Sequence, residues 1–182
     1  MKMKRLCKSV ASVFLSAALL LSMAFFVGSV NAEASTTKTK TQALAWMKNH
    51  ADNKDSINYD NAAGAQCVDL IYAYYNYLGA AVKGGNACAY TSNSLPSGWK
   101  RYTNSSGFVP QPGDICVWGS YAGVSGGTGS EYGHVGLVYS GNSTSIKTVE
   151  QRGKTSPTTD WCEWYTRQTK YVTCFIRPDF FK

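Results

Sequence analysis

Three side chains of this sequence have the types and the order that thiol-based amide chemistry requires. Cys67 lies within Gly64-Ala65-Gln66-Cys67-Val68-Asp69-Leu70, His134 follows Gly133, and Glu150 precedes Gln151. A neutral thiol is a poor nucleophile, so such chemistry needs a thiolate, an imidazole that takes and returns its proton, and an acceptor that fixes the imidazole tautomer. Cys67, His134 and Glu150 could supply these three groups, which predicts a thiol hydrolase site.

Each of these residues has a structural alternative when it is taken alone. A lone cysteine is often a small buried residue, a lone histidine is often structural, and a glutamate at a strand end is usually solvated. A competing nucleophile, Ser125, lies in a G-x-S-x-G match, but its surroundings are a Gly/Ser-rich loop and not a strand-to-helix turn. The combination of all three residues therefore favours a Cys67-based site.

The nucleophile is predicted to begin a helix. A stripe of side chains at helical spacing starts at Cys67 and runs to Leu78, and Gly79 is placed to end it. The free N–H groups and the dipole of a first helical turn stabilise an anion, which lowers the pKa of a cysteine in that position. An earlier amphipathic helix is expected from Gln42 to about Ala51.

The other two residues are predicted to lie on one β-hairpin. A strand over 114–118 precedes two more, over 134–139 and 145–150, which are joined by turn residues 140–144. If the hairpin is symmetric about Asn142, His134 lies directly opposite Glu150. Directly opposed residues share a face with Cβ atoms about 4.5 to 5.5 Å apart, so the carboxylate would orient the imidazole.

The first 32 residues have the pattern of a secretory signal. Basic residues precede an apolar stretch from Val10 to Val30, and Val30-Asn31-Ala32 suits a signal peptidase. We therefore expect a signal peptide over 1–32, a flexible Thr/Lys-rich tether over 33–41, one catalytic domain over 42–182 and a secreted product. Serines dilute the apolar stretch, so no stable membrane anchor is expected.

The charge of the chain excludes one class of partner. The formal net charge is +7, with 18 basic and 11 acidic residues. Four of the basic residues lie in the predicted signal, which leaves 14 against 11 in the remainder. The basic residues form no continuous run and no basic helix, so we expect no nucleic-acid binding. Separately, we expect the protein to be a monomer.

Five cysteines lie outside the predicted signal, and an odd number in an exported chain indicates one free thiol beside paired ones. Cys67 is the candidate for the free thiol. A hairpin centred on Gln168 would bring Cys162 to Cys174, and Cys88 would then pair with Cys116. Four cysteines allow three connectivities, and a fully reduced protein is the alternative. A chain without CxxC and with two histidines does not favour structural zinc.

The sequence resembles a known family, the CHAP domain (cysteine, histidine-dependent amidohydrolase/peptidase) of bacterial and phage peptidoglycan hydrolases. The resemblance implies an α+β, papain-like fold, with N-terminal helices packed on an antiparallel sheet. It implies Cys67 as nucleophile, His134 as base, Glu150 as orienting group and peptidoglycan as substrate, cut at the muramoyl-L-alanine amide or at a stem or cross-bridge peptide bond. The motifs are Tyr59-Asp60, Gly64 to Leu70, Pro112 to Trp118, Tyr132 to Val138 and Glu150-Gln151.

Two further features follow from the resemblance. Some members bind calcium through positions that correspond to Asn58, Asp60 and Asp69, which predicts a structural Ca²⁺ site here, with a capped turn as the alternative; no cofactor is required for the reaction. Many members carry Asn where this chain has Arg152, to which we assign no role. The Cys67 backbone N–H is the natural oxyanion donor, and the Gln66 side chain is a second candidate.

Two other functions use the same features differently. An exported antibacterial toxin would apply the same chemistry to the wall of a competitor. A non-catalytic wall-binding module would use the 12 tyrosines and five tryptophans to stack on sugars, but it would leave the grouping of Cys67, His134 and Glu150 without a purpose.

Overall fold

A helical layer covers one face of an antiparallel sheet. The computed structural model describes residues 36–151 and 160–182, and within them the helices are α1 Lys40–Asn53 and α2 Cys67–Leu78, with shorter 3-10 helices at Ala87–Thr91 and Thr169–Tyr171. The strands are β1 Lys100–Thr103, β2 Ile115–Trp118, β3 His134–Gly141, β4 Ser145–Glu150, β5 Glu163–Gln168 and β6 Cys174–Arg177. The predicted α+β class is confirmed.

Helix α1 begins earlier than the sequence pattern predicts. The Thr39 hydroxyl accepts the Gln42 N–H at 3.2 Å, while the Gln42 side chain accepts the Thr39 N–H at 2.9 Å, so the two form a reciprocal N-terminal cap. Before this cap, the buried Thr36 donates its hydroxyl to the Asp179 carbonyl at 2.8 Å. The flexible tether predicted for 33–41 is therefore wrong for its described part, from Thr36 onward.

Helix α2 has the predicted limits. It begins at Cys67 and is followed by Gly79, whose φ of 79° is the left-handed conformation that ends a helix. Its apolar side packs against β3 and joins a core cluster with Val117, Val135 and Leu137 of the sheet. This packing places the N-terminus of α2 beside the strand that begins at His134.

The strands follow the order β1-β6-β2-β3-β4-β5, and every adjacent pair is antiparallel. Successive side chains of a strand alternate between the two faces. Val117 accordingly belongs to the cluster under the helices, whereas Cys116 and Trp118 belong to a second cluster on the other face. None of the helices in residues 36–151 and 160–182 is long and apolar enough to cross a membrane.

The predicted disulfides are wrong. Cys67, Cys88, Cys116, Cys162 and Cys174 are all free thiols in the structure. The hairpin predicted around Gln168 does not form, because β5 pairs with β4 while β6 pairs with β1 and β2. At about 4.8 Å per strand, the four steps from β6 to β5 separate Cys174 from Cys162 by about 19 Å.

The second predicted pair fails for a different reason. Cys116 points into the cluster on the far face of the sheet. The 3-10 helix that carries Cys88 packs its Ala87 and Tyr90 into the cluster under the helices. Cys88 and Cys116 therefore belong to opposite sides of the sheet.

Candidate active site

Cys67 is the first residue of α2. Gln66 precedes it in an extended conformation, and the Asp69 carboxylate accepts the Gln66 N–H at 2.8 Å. The N–H groups of the first helical turn have no acceptor within the helix, so they and the helix dipole favour negative charge there. The local sequence therefore places the Cys67 side chain at the positive end of the helix dipole.

Asp69 also fixes the loop that leads to the nucleophile. It is 1% exposed, and its other oxygen accepts the backbone N–H groups of Tyr59 at 2.9 Å and of Asp60 at 3.3 Å. Burial raises the pKa of this carboxyl, and the hydrogen bonds from Gln66, Asp60 and Tyr59 oppose that rise. Asp69 is therefore the cap that ties the loop to the first turn of α2.

His134 begins β3, where it is paired with Trp118 of β2. The two rings lie 5.4 Å apart between centroids at an angle of 36°, which fixes the plane of the imidazole. The His134 Nε2 lies 2.9 Å from a Glu150 oxygen, and the ring also interacts electrostatically with the Cys67 side chain. Because Nε2 contacts Glu150, the nitrogen left to exchange a proton with Cys67 is Nδ1.

Glu150 reaches His134 through a register that differs from the prediction. Leu137 pairs with Val149, so Gly136 and not His134 lies opposite Glu150, and a bulge at Tyr139 shifts the rest of the hairpin. The symmetric hairpin about Asn142 is therefore wrong. The difference amounts to two residues, which keeps His134 and Glu150 on the same face, and the contact forms diagonally.

Arg167 and Thr148 hold the Glu150 carboxylate, and the sequence analysis missed both. The Arg167 guanidinium donates from Nε at 2.9 Å and from a terminal nitrogen at 2.7 Å, one bond to each oxygen of Glu150. The Thr148 hydroxyl donates at 2.6 Å. Thr148 is two residues from Glu150 on the same face, a signal that was available, but Arg167 comes from β5, whose neighbour could not be known from sequence.

Burial and charge act against each other in this cluster. Burial disfavours the protonated form of His134, but its hydrogen bonds and attraction to Cys67 and Glu150 outweigh burial and raise the pKa to about 9. Burial likewise disfavours the Glu150 carboxylate, but hydrogen bonds from Arg167 and His134 outweigh it and lower the pKa to about 2. At neutral pH the cluster therefore holds an imidazolium beside a carboxylate.

Two clefts meet at His134. The first has a volume of about 240 Å³ and contains Cys67 and Gln66 on one side and Tyr132 on the other. The second, of about 440 Å³, is formed by the loop around Gly123 and Ser125. They share Ser130, Gly133 and His134.

Ser125 lines the second cleft, whereas the oxyanion candidate Gln66 lines the first. The loop of Ser125 is closed by an isolated bridge between Ala122 and Thr128, so it is no strand-to-helix elbow. The Gln66 side chain lines the first cleft beside Cys67, and its amide lies 3.5 Å from the Ala63 carbonyl. Arg152 lies outside the described residues.

The predicted calcium ligands are arranged chiefly as a capped turn. A carboxylate has about four lone-pair sites, and Asp69 gives three of its own to backbone N–H groups. Asp60 accepts the Ala62 N–H at 2.8 Å, and Asn58 is exposed. Within residues 36–151 and 160–182, no group of three or more His, Cys, Asp or Glu side chains could hold a metal ion. The Ca²⁺ site therefore stays a prediction.

The fold and the site together define a class. The arrangement is papain-like. Helices pack on an antiparallel sheet, and a cysteine at a helix N-terminus faces a histidine and a buried carboxylate. The profile of the CHAP domain family matches residues 55–152, more than half of the chain, and the chain belongs to this family.

Comparisons with individual proteins agree with this assignment. Endolysin LysK of Staphylococcus phage K is 34% identical over 96 residues, which are 52% of this chain and 18% of that protein. The crystal structure of the endolysin LysIME-EF1 superimposes with a TM-score of 0.67 at 22% identity, covering 79% of this chain and 65% of the other. Ly7917, solved with the hydrolysing product of MDP, gives a TM-score of 0.56 at 19% identity, with 78% and 63% covered. The chain thus spans less than two thirds of these relatives, and the likeness to the solved structures confirms the papain-like fold.

Proposed function

We propose that this protein is a secreted peptidoglycan hydrolase that cleaves an amide bond with Cys67 as nucleophile. The observation that carries the proposal is the chain of contacts from Cys67 through His134 to Glu150 at the junction of two clefts. A wall-binding module without catalysis would need neither the buried carboxylate nor its two hydrogen-bond donors, Arg167 and Thr148.

The first half of the reaction forms a thioester. In the resting pair the proton of Cys67 lies on Nδ1 of His134, and the Cys67 thiolate attacks the carbonyl carbon of the amide. The backbone N–H of Cys67 donates to the oxygen that becomes negative, with the Gln66 side chain as the second donor. His134 then returns the proton to the amide nitrogen, the C–N bond breaks and the amine leaves.

The second half releases the acid. His134, now neutral, takes a proton from water as the water oxygen attacks the thioester carbon. The C–S bond breaks, the carboxylic acid leaves and the Cys67 thiolate is restored beside the imidazolium. Glu150 keeps the ring oriented through both halves and stabilises its positive form.

The substrate class rests on the relatives. Endolysins are similar to this chain in sequence and in structure, and Ly7917 was crystallised with the hydrolysing product of MDP. We therefore assign peptidoglycan as the substrate, cut at the muramoyl-L-alanine amide or at a peptide bond of the stem or cross-bridge. The pattern of residues 1–32 supports action outside the cell. We propose that the protein acts there as a monomer without a stable membrane anchor.

The test is digestion of purified peptidoglycan by residues 33–182, followed by mass spectrometry of the new ends. A released lactyl-muramic acid end means an amidase, and a new amine on the stem or bridge means an endopeptidase. Cys67→Ala should be folded and inactive, whereas Ser125→Ala should keep activity. If Cys67→Ala digests the wall at the wild-type rate, the nucleophile is a different residue.

A further inference from the structure

Gln151 joins the strand of Glu150 to the start of the nucleophile helix. It is fully buried, and because it follows Glu150 directly, its side chain points to the opposite face of the sheet. Its amide nitrogen donates to the Gln66 carbonyl at 2.7 Å and to the Ile57 carbonyl at 2.7 Å. These contacts join segments that are 85 and 94 residues apart in sequence.

The orientation of this amide is set by its partners. The Gln151 oxygen accepts the Ile57 N–H at 2.9 Å, and the Cys162 thiol lies 3.7 Å from the same oxygen. Both N–H groups and both lone pairs of the side chain are thus engaged. A flipped amide would point its oxygen at two carbonyls and its nitrogen at an N–H, so one orientation is strongly favoured.

The position of the Gln66 carbonyl gives this contact its significance. Gln66 is the cap of α2, and one peptide bond separates its carbonyl carbon from the nitrogen of Cys67. Directly before Gln151, the last residue of β4, Glu150, holds His134 at 2.9 Å. Two consecutive side chains therefore contact the two halves of the site, with the imidazole on one face and the origin of the thiol helix on the other.

We propose that Gln151 is a positioning residue that fixes Cys67 relative to the His134–Glu150 pair. The proposal rests on the catalytic role given to Cys67 above. Gln151 does not touch the reacting atoms, and its effect is geometric. A displacement of about 1 Å between reacting groups can cost about 100-fold in rate, so even a small shift of the α2 N-terminus lowers the turnover rate.

A purely structural role would produce a different result, and Asn104 offers a matched control. The Asn104 amide also donates to two backbone carbonyls, those of Thr169 at 2.8 Å and Val172 at 2.9 Å, and none of these residues lines the clefts at His134. Gln151→Met and Asn104→Leu each remove such a double contact while keeping much of the side-chain volume. Both should lower the melting temperature.

The experiment compares kcat, KM and the alkylation rate of Cys67 in the two variants of the mature protein. In Gln151→Met, kcat should fall by about 10- to 100-fold with KM nearly unchanged, and iodoacetamide should modify Cys67 several-fold more slowly at pH 7. Alkylation of the partly exposed Cys88 should not change and serves as the internal reference. Asn104→Leu should keep wild-type kcat and alkylation. Wild-type kcat and Cys67 alkylation in a destabilised Gln151→Met would overturn the proposal.

A second variant covers the case in which Gln151→Met does not fold. Gln151→Asn keeps the amide but is one methylene too short to reach both Ile57 and Gln66, so the same loss of kcat and of Cys67 alkylation is expected. Alkylation needs no substrate. If the wild-type protein digests no peptidoglycan, the proposed function fails, and the alkylation rates still decide the role of Gln151.

Discussion

The Glu150 side chain occupies the space that a side chain at position 136 would need. A Cβ atom built on Gly136 would lie 2.7 Å from the Glu150 Cγ and 3.3 Å from the Val149 carbonyl oxygen. The absence of a side chain at this position lets the carboxylate lie along β3 and reach His134, two residues away. Gly136 is therefore part of the catalytic geometry although it carries no functional group.

Gly136→Ala should disable the site without unfolding the protein. The added methyl group must push Glu150 away from His134, so kcat should fall by about 10-fold or more. Activity on peptidoglycan together with thermal melting measures both effects. Gly84→Ala is the control, since that position has space for a Cβ atom. Unchanged kcat in Gly136→Ala would show that Glu150 can move aside without losing the imidazole.

Glu150→Gln should lower activity less than His134→Ala does. The amide keeps the shape and an acceptor but loses the charge that stabilises the imidazolium, and a positioned acid–base group is worth about 10² to 10⁴ in rate, the loss expected for His134→Ala. Loss of that charge also lowers the pKa of His134 from its value of about 9. The alkaline limb of the kcat profile should therefore move to lower pH. A fully active Glu150→Ala would reduce the triad to Cys67 and His134.

The contribution of His134 to stability should fall as the pH rises from about 6.5 to about 9. The native state holds His134 protonated up to a pKa of about 9, whereas the unfolded state loses that proton near the ordinary imidazole pKa of 6.5. His134 thus holds one more proton in the native state over this window, and its contribution to stability decreases by at most about 1.4 kcal/mol per pH unit. Urea unfolding at several pH values should show this slope in the wild type and a weaker one in His134→Ala. Equal slopes would mean that His134 is not protonated in the native protein.

Arg167→Met should impair catalysis more than Arg177→Met does. Each arginine binds a buried carboxylate with two hydrogen bonds, Arg167 to Glu150 and Arg177 to Asp114 at 2.8 Å for both bonds. Each substitution removes the arginine partner of a buried carboxylate and should lower stability, by about 3 to 5 kcal/mol for Asp114 and by less for Glu150, which keeps its contact with His134. Only Arg167→Met releases the Glu150 carboxylate from its guanidinium partner, so only this variant should have a lower kcat. Equal kcat in the two variants, at equal melting temperature, would assign Arg167 to stability alone.

Asp60→Ala should lower the melting temperature in calcium more than in chelator. A cation that binds only the native state stabilises it by mass action, so the wild-type melting temperature should rise with free Ca²⁺. Removal of Asp60 also removes its contact with the Ala62 N–H, which lowers the melting temperature slightly in both conditions. Identical wild-type melting in chelator and in calcium would leave the loop as a capped turn only.

The local sequence determined the parts of the site that depend on neighbouring residues. Helix α2 begins at Cys67 and is followed by Gly79 as expected, because helical spacing and a left-handed glycine act within a few residues. The side-chain types and their order along the chain indicated the chemistry and the family, because such motifs can be recognised without knowing which strands pair. The start of β3 at His134 and the end of β4 at Glu150 were also predicted correctly.

Long-range pairing decided the rest. The bulge at Tyr139 set the register that puts Gly136 opposite Glu150, and the strand order brought Arg167 to Glu150 while separating Cys162 from Cys174. The hydrogen-bond partners of Gln151 lie 85 and 94 residues away in the sequence. Period-two alternation specifies which face a side chain takes but not which strand lies beside it, so these contacts depend on how the whole sheet packs under the helices.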